Sequence, residues 1–319
     1  MAIGDGEPVL QFKSVCVVGG GMAGLAVARE LRREGHTVTV MEQSGDVGGQ
    51  WLYDRRTDVE DPMGAVAPVR VPSSIYACLR LISPREVMGC SDFQFLPREG
   101  AGRDPRRYPG HRELHCYLRD FCHVFGIMET VRLNTRVLRV APAAMSMSTT
   151  TRRWAVRSVR RLGGTEDDDG NIYILNSTVP VGVPRRVLIP WFFEVQARWV
   201  AQVLSGRHAL PSEEQMLRSV EEQLRAREAA GVPRKHTHNI ASVEPRDMYE
   251  FGGKYCDFTP TEEWKKELIL SSNASMDDDV ETFRNRADGD SENVRKGRQG
   301  WLGGLVAQAQ EETAVKTEF

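Results

Sequence analysis

The chain has 319 residues, 40% of them hydrophobic and 27% charged, enough apolar material for one or two domains with real cores. Its 42 basic and 44 acidic side chains give a net charge of −2, which leaves no electrostatic footprint for nucleic acid or an anionic membrane. The six cysteines (Cys16, Cys78, Cys90, Cys116, Cys122 and Cys256) form no CxxC pair, which excludes a zinc ribbon or dithiol redox motif and predicts reduced thiols. No apolar run is long enough for a membrane span, and Met1 to Pro8 is acidic and Gly-rich, unlike a signal peptide. A cytoplasmic location is the expectation.

In chain order, Val15 to Val18 is a short β-branched run that reads as a strand and breaks into Gly19-Gly20-Gly21. A helix follows from about Met22 to Glu34, with Leu25, Ala28 and Leu31 on one face and Gly35 as its stop. Thr37 to Met41 is the second strand. Tight connections and a right-handed crossover place the two strands side by side in a parallel sheet. Gln43 to Gly110 is irregular, a length that implies a functional loop or short embedded elements. His111 to Phe125 reads as a helix with an apolar stripe of Leu114, Leu118, Phe121, Cys122 and Phe125, ended by Gly126.

Val131 to Val140 and Trp154 to Val159 read as strands joined by a solvated loop. Gly163 to Gly170 reads as a turn, and Ile172 to Leu175 and Val179 to Val183 as short strands. Phe192 to Leu204 is a second amphipathic helix, closed by Gly206. Ser212 and Gln215 form a capping box for a third, which runs to about Ala230 before Gly231 and Pro233. Thr259, Pro260 and Glu262 mark another helix start, with proline at its first position. From Ser272 to Phe319 the chain is acidic and weakly periodic, and is expected to be mostly disordered, with one helix near Trp301 as the alternative. The basic clusters Arg103 to Arg107 and Arg152-Arg153 read as solvated surface.

Gly19-x-Gly21-x-x-Gly24 lies between a strand and a helix, the context that makes a GxGxxG informative. Gly19 permits the tight turn, Gly21 lets a pyrophosphate approach the backbone, and Gly24 lets the helix pack on the strand. The helix N-terminus offers free N–H groups and a partial positive charge to the phosphates. Glu42, at the end of the second strand, is placed to accept hydrogen bonds from a ribose diol and to repel a 2′-phosphate. That leaves FAD or NAD.

Several further segments follow in a fixed order: Val47-Gly48-Gly49-Gln50-Trp51, Ser73-Ser74-Ile75-Tyr76 with Leu79-Arg80, Ser91-Asp92-Phe93, and Pro109-Gly110-His111 before Tyr117-Leu118. Phe193-Glu194-Val195-Gln196-Ala197-Arg198-Trp199 and Val203-Leu204-Ser205-Gly206 come later. Together these resemble the flavin-containing monooxygenases, most of all their plant S-oxygenating branch, over residues 12 to 160 and 181 to 285. The resemblance implies an α/β fold with a parallel sheet of the glutathione-reductase type flanked by helices. It also implies FAD reduced by NADPH, and a C4a-hydroperoxyflavin formed with O₂ that oxygenates a soft sulfide or amine. The cofactor carries that chemistry, so no acid–base dyad is assigned, and His111, His115 and His123 read as surface or packing residues. By resemblance, Gly20, Met22 and Ala23 complete a segment from Gly19 to Gly24 that cradles the pyrophosphate, Gln50 and Trp51 lie along the flavin, Val137 lies on the strand that meets the adenine, and Gln196 at a helix start near the isoalloxazine ring.

Two departures from the family pattern stand out. In Leu81-Ile82-Ser83-Pro84, Ile82 replaces an asparagine that many relatives carry near the flavin edge, and an isoleucine cannot hydrogen-bond there. The family's second GxGxxG unit, for NADPH, and its FxGxxxHxxx(Y/F) fingerprint are not found. The expected organisation is therefore residues 1–165 as the first half of an FAD domain, 166–180 as a junction in place of the NADPH domain, 181–271 as the helical second half, and 272–319 as the tail. Ile172 to Leu175 is expected to patch a place in the parallel sheet, and the fold to be marginal. The readings are a flavin-dependent monooxygenase, a catalytically dead FAD-binding remnant or interaction protein, and an FAD oxidoreductase reduced by a partner.

Overall fold

The computed structural model describes residues 10–58, 71, 73–143, 154–162, 165–168, 173–175, 181, 190–236, 238, 245–285 and 290–303. The chain divides into two compact units, one of residues 1–52, 118–187 and 192–260, the other of residues 53–117, 188–191 and 261–319.

The first unit opens with β1 (Ser14–Val18), α1 (Met22–Arg33) and β2 (Thr37–Met41). β1 and β2 are parallel and in register from Ser14 opposite Thr37 to Val18 opposite Met41. Leu25, Ala28 and Leu31 are at most 1% exposed, so the predicted face of α1 is the buried one. Gly35 ends the helix with φ +96°, a conformation that favours glycine. From α2 (His111–Val124), the part beginning at Leu118 belongs to this unit. β3 (Val131–Arg132) then adds to β2, giving a three-stranded parallel sheet of order β1-β2-β3.

The expected strand from Val131 to Val140 is in fact two strands in two sheets. The break falls at Leu133-Asn134, where Asn134 takes φ +55° and donates its N–H to the Ser44 carbonyl at 2.9 Å. Asparagine tolerates the left-handed region, so it turns the chain where uniform β-propensity gives no signal. β4 (Thr135–Pro142) pairs antiparallel with β5 (Trp154–Leu162), which also pairs with β6 (Thr165–Asp168) and β7 (Tyr173–Leu175). The segment expected as a turn at 163–170 thus contains a strand. β7 joins this antiparallel sheet; its hydrogen-bonded partner is β5, where a place in the parallel sheet was expected. Met41 and Val156 form a core cluster with Cys16, Val137 and Trp154 packed around it, so the antiparallel sheet lies on the parallel one. Most of the expected strand at Val179 to Val183, most of the 143–153 loop and Arg152-Arg153 lie outside the described residues.

α3 (Trp191–Ser205) lies in this unit from Phe192 onward and ends at Gly206, φ +85°. α4 (Glu213–Ala229) has the predicted capping box: the Gln215 N–H donates to Ser212 Oγ at 3.2 Å and the Ser212 N–H to Gln215 Oε1 at 2.9 Å. α5 (Pro245–Tyr255) was not anticipated from sequence.

The second unit is built from the irregular stretch after Tyr53, the start of α2, α6 (Glu263–Asp278) and a helix at residues 292–303, here α7. α6 starts later than Pro260: Glu262 is its N-cap. Short 3-10 turns at Arg55–Asp58, Arg85–Val87 and Phe283–Asn285 punctuate the unit. The Tyr117 hydroxyl accepts the Cys90 N–H at 2.8 Å and donates to the Phe93 carbonyl at 2.7 Å, pinning the loop to α2. The expectation of disorder from Ser272 is corrected for residues 272–285 and 290–303, and the alternative of a helix near Trp301 is what the structure has. Val294 is 0% exposed, a Cβ on Gly297 would fall 2.2 Å from the Trp264 ring, and the Trp301 indole donates to Gln94 Oε1 at 2.9 Å. A glycine-permitted contact and the buried side chains of Phe283 and Val294 outweigh the polar composition on which the expectation rested. Residues 304–319 are outside the described set.

Arg103 to Arg107 is likewise not a uniformly solvated patch. Arg103 reaches buried Glu113 at 3.1 Å, and Arg107 reaches Glu86 and Asp290, each at 2.9 Å. Carboxylates distant in sequence draw these cations inward.

Candidate dinucleotide site

The site is assembled where β1 passes into α1. The Gly19 N–H donates to the Met41 carbonyl at 2.8 Å, prolonging the β1–β2 pairing by one residue. Gly19 then takes φ +101°, which glycine adopts without the Cβ penalty. Gly21 is the N-cap of α1, in extended conformation, and no side chain caps the helix. The first helical bond runs from the Leu25 N–H to the carbonyl of the N-cap, Gly21, at 2.9 Å. The amides of Met22, Ala23 and Gly24 come before it, and a helix start of this kind presents donors and partial positive charge to an anion. Gly24 is under the tightest constraint: a Cβ there would lie 2.0 Å from the Gly19 carbonyl oxygen.

Glu42 is 4% exposed and lies against this turn. Its Oε2 accepts the Gly20 N–H at 2.6 Å and its Oε1 the Ser44 N–H at 2.7 Å. Its main chain is held on both sides, by the Arg132 carbonyl at 3.0 Å and the Thr135 N–H at 2.8 Å. Each carboxylate oxygen retains a second lone pair, so the group can still accept from a diol. Ser44 and Thr135 carry no motif that would mark them in the sequence.

The Gly48-Gly49 pair closes over the turn. The Gly48 N–H donates to the Gly20 carbonyl at 2.9 Å, and a Cβ on Gly49 would fall 2.8 Å from the Gly21 Cα. Both have positive φ, +132° and +57°. Sequence reading noted the segment only as part of a resemblance; its glycines are needed because two backbones touch. Gln50 is exposed and Trp51 half-buried in the 3-10 turn that follows. Val137 is half-buried against the Met41–Val156 cluster, beside an irregularity in the β4–β5 register.

Gln196 is in the second turn of α3, not at the helix start as expected. α3 docks on α1 through a buried charge network. Glu194 meets Arg29 at 3.0 Å, Arg29 meets Glu30 at 2.9 Å, and Arg198 meets Glu30 at 2.9 Å. The Arg29 guanidinium also lies 4.3 Å from the centre of the Phe125 ring. Gln196 is therefore level with Arg29 and Glu30, beyond the first turn of α1. The structure brings Gly19, Gly20, Gly21, Gly24 and Glu42 into one cradle with Gly48 and Gly49; Val137 and Gln196 stand on its supporting elements.

Three of the six cysteines are held in the unreactive neutral form. Burial pushes the thiols of Cys16, Cys122 and Cys256 up to about 11, 12 and 12. Among the described residues no group of His, Cys, Asp and Glu could hold a metal ion, and no helix is long and apolar enough to cross a membrane. In the second unit His111 is buried, with its ring 5.2 Å from that of Tyr53, and Ile82 is 57% exposed.

Residues 17–78 match the model of an NAD(P)-binding Rossmann-like domain. The chain is 30% identical to the flavin-containing monooxygenase FMO GS-OX-like 8 of Arabidopsis thaliana over 440 aligned residues, which take in 89% of this chain and 94% of that protein. It is 46% identical to FMO GS-OX3 of the same plant over 159 residues, 49% of this chain and 33% of the relative. The S-allyl-L-cysteine S-oxygenase of Allium sativum shares the fold, with a TM-score of 0.74, 23% identity, and coverage of 93% of this chain and 100% of that one. A Gly-rich strand–turn–helix backed by a buried glutamate, in a chain with these relatives, places it in the flavin-containing monooxygenase family, among the plant GS-OX-like enzymes.

Proposed function

We propose that this chain binds FAD at the first unit's cradle and acts as an oxygenase of soft sulfur or nitrogen nucleophiles. The observation that carries the reading is the uncapped start of α1 facing Gly19 to Gly21, with Glu42 buried behind it. The residues fit the group: the amides from Gly21 to Gly24 would hold the pyrophosphate and Glu42 the ribose. When bound, FAD supplies the redox and oxygen chemistry, with NADPH as the family's reductant. The chain's own part is to bind, orient and shield. The Allium relative's named activity on S-allyl-L-cysteine favours sulfur over nitrogen.

A second reading is an FAD-binding remnant that lacks its own nicotinamide site. It is favoured by the alignment with GS-OX-like 8, whose 440 positions exceed the 319 residues of this chain, so that a stretch of the relative has no counterpart here. Among the described residues one strand–GxGxxG–helix unit is present. The visible spectrum of the purified chain with FAD, followed by NADPH and a sulfide in air, separates the two. Bleaching with sulfoxide formation supports the oxygenase. Bound flavin that NADPH leaves oxidised supports the remnant, and a protein that stays colourless with excess FAD defeats both.

A further inference from the structure

We propose that Arg80, Arg106 and Arg284 of the second unit form a binding site for a dianionic phosphate, free or as a monoester. Arg80 and Arg284 hold each other's neighbours. Arg80 donates through Nη1 to Asn285 Oδ1 at 3.0 Å, and Arg284 through Nε to the Leu81 carbonyl at 3.0 Å. Arg80 Nε is fixed on the Tyr108 carbonyl at 2.9 Å. These partners are neutral, so they orient both guanidiniums without cancelling their charge. Arg106 grips Asp104 with Nε and Nη2 at 2.8 and 2.7 Å, and Asp104 also accepts the Gly110 N–H at 2.7 Å.

Arg106 and Arg284 thus both bear on Arg80, and the carboxylate that opposes them, Asp104, is already taken by Arg106 and the Gly110 N–H. Arg80 is held below the ordinary guanidinium pKa by partial burial first, then by Arg106 and Arg284, with Asp104 opposing. Arg80 Nη2 and both Nη atoms of Arg284 make no hydrogen bond among the described residues, and a planar fork of donors suits a tetrahedral oxyanion. The net excess is two positive charges. A dianion cancels it where a carboxylate leaves half of it, which selects phosphate.

The test is thermal melting of the full chain in phosphate against chloride at matched ionic strength, with NADP⁺ and NAD⁺ as further arms because they differ by one phosphate monoester. Phosphate is expected to raise the midpoint by a few degrees in a saturable way. Arg284→Gln, which loses one carbonyl bond, is expected to weaken that binding by about tenfold or more, while Arg225→Gln on exposed α4 leaves it unchanged. Arg80→Gln is expected to act as Arg284→Gln does, and Arg284→Gln alone decides if that variant fails to fold. An NADP⁺ effect that exceeds NAD⁺ and vanishes in Arg284→Gln identifies a nucleotide monoester; a phosphate effect without that difference identifies the free ion. No phosphate-specific shift, or one that survives Arg284→Gln, overturns the proposal. Flavin absorbance in the same samples reports on the FAD cradle separately.

Discussion

Arg29 of α1 and Glu194 of α3 meet at 3.0 Å with 6% and 1% of their side chains exposed, 165 positions apart in the chain. The pair joins the dinucleotide helix to the later part of its unit. Removing one partner strands the other charge in the interior. Glu194→Ala is expected to cost about 3–5 kcal/mol, measured by urea unfolding, and Glu194→Gln less because the amide oxygen still accepts from Arg29. Equal losses for the two would show that the carboxylate's charge, and not an accepting oxygen alone, is what holds Arg29 there.

Gly24→Ala places a methyl group 2.0 Å from the Gly19 carbonyl oxygen, where nothing flexible can yield. The helix must lift from the strand, at about 1–3 kcal/mol or more. Loss of retained flavin with secondary structure intact by circular dichroism is the expected outcome.

Glu42→Ala leaves the amides of Gly20 and Ser44 without their acceptor, at about 1–3 kcal/mol for a buried orphan. Glu42→Gln keeps one acceptor oxygen and should fall between Ala and the native residue in both FAD affinity and melting temperature. A flavin titration of the three proteins checks the order.

His111 is expected to make stability depend on pH. Burial holds its pKa below the ordinary imidazole value; nearby His115 adds to this, while the Ala77 carbonyl and Asp58 oppose it. A depressed histidine is neutral in the fold, so its contribution is complete above about pH 6.5 and is lost as the pH falls below that value. Asp104, brought to about 2 by bonds from Arg106 and Gly110 that outweigh burial, loses its contribution only below about pH 4 and leaves that window clear. Urea midpoints between about pH 8 and pH 5 should drop for the native chain and flatten for His111→Phe.

The parts of the cradle that could be read in advance are those where backbone geometry dictates the residue. Gly19 needs a positive φ, Gly24 a missing Cβ, and Glu42 the end of a strand, and all three leave a local signature. The rest depends on partners that local patterns do not name. Gly48 and Gly49 matter because they touch Gly20 and Gly21 across a loop, and Arg107 is drawn inward by Asp290, 183 positions away. The run from Val131 to Val140 is uniformly strand-like, so its division turns on the φ of Asn134 alone. The tail was misjudged because its few apolar groups are concentrated at Phe283 and Val294, where burial is nearly complete.

The two-residue link at Leu133-Asn134 also works as a parity check. Side chains at the start of β4 alternate, with Thr135 1% exposed, Arg136 outward and Val137 half-buried against the core cluster. One residue inserted into that link, if β4 slips by one position against β5 to absorb it, would exchange the two faces there, turning Thr135 and Val137 out and Arg136 in. Two residues would restore them. The link is therefore expected to tolerate changes of even length better than odd, whatever the chemistry of the residues added.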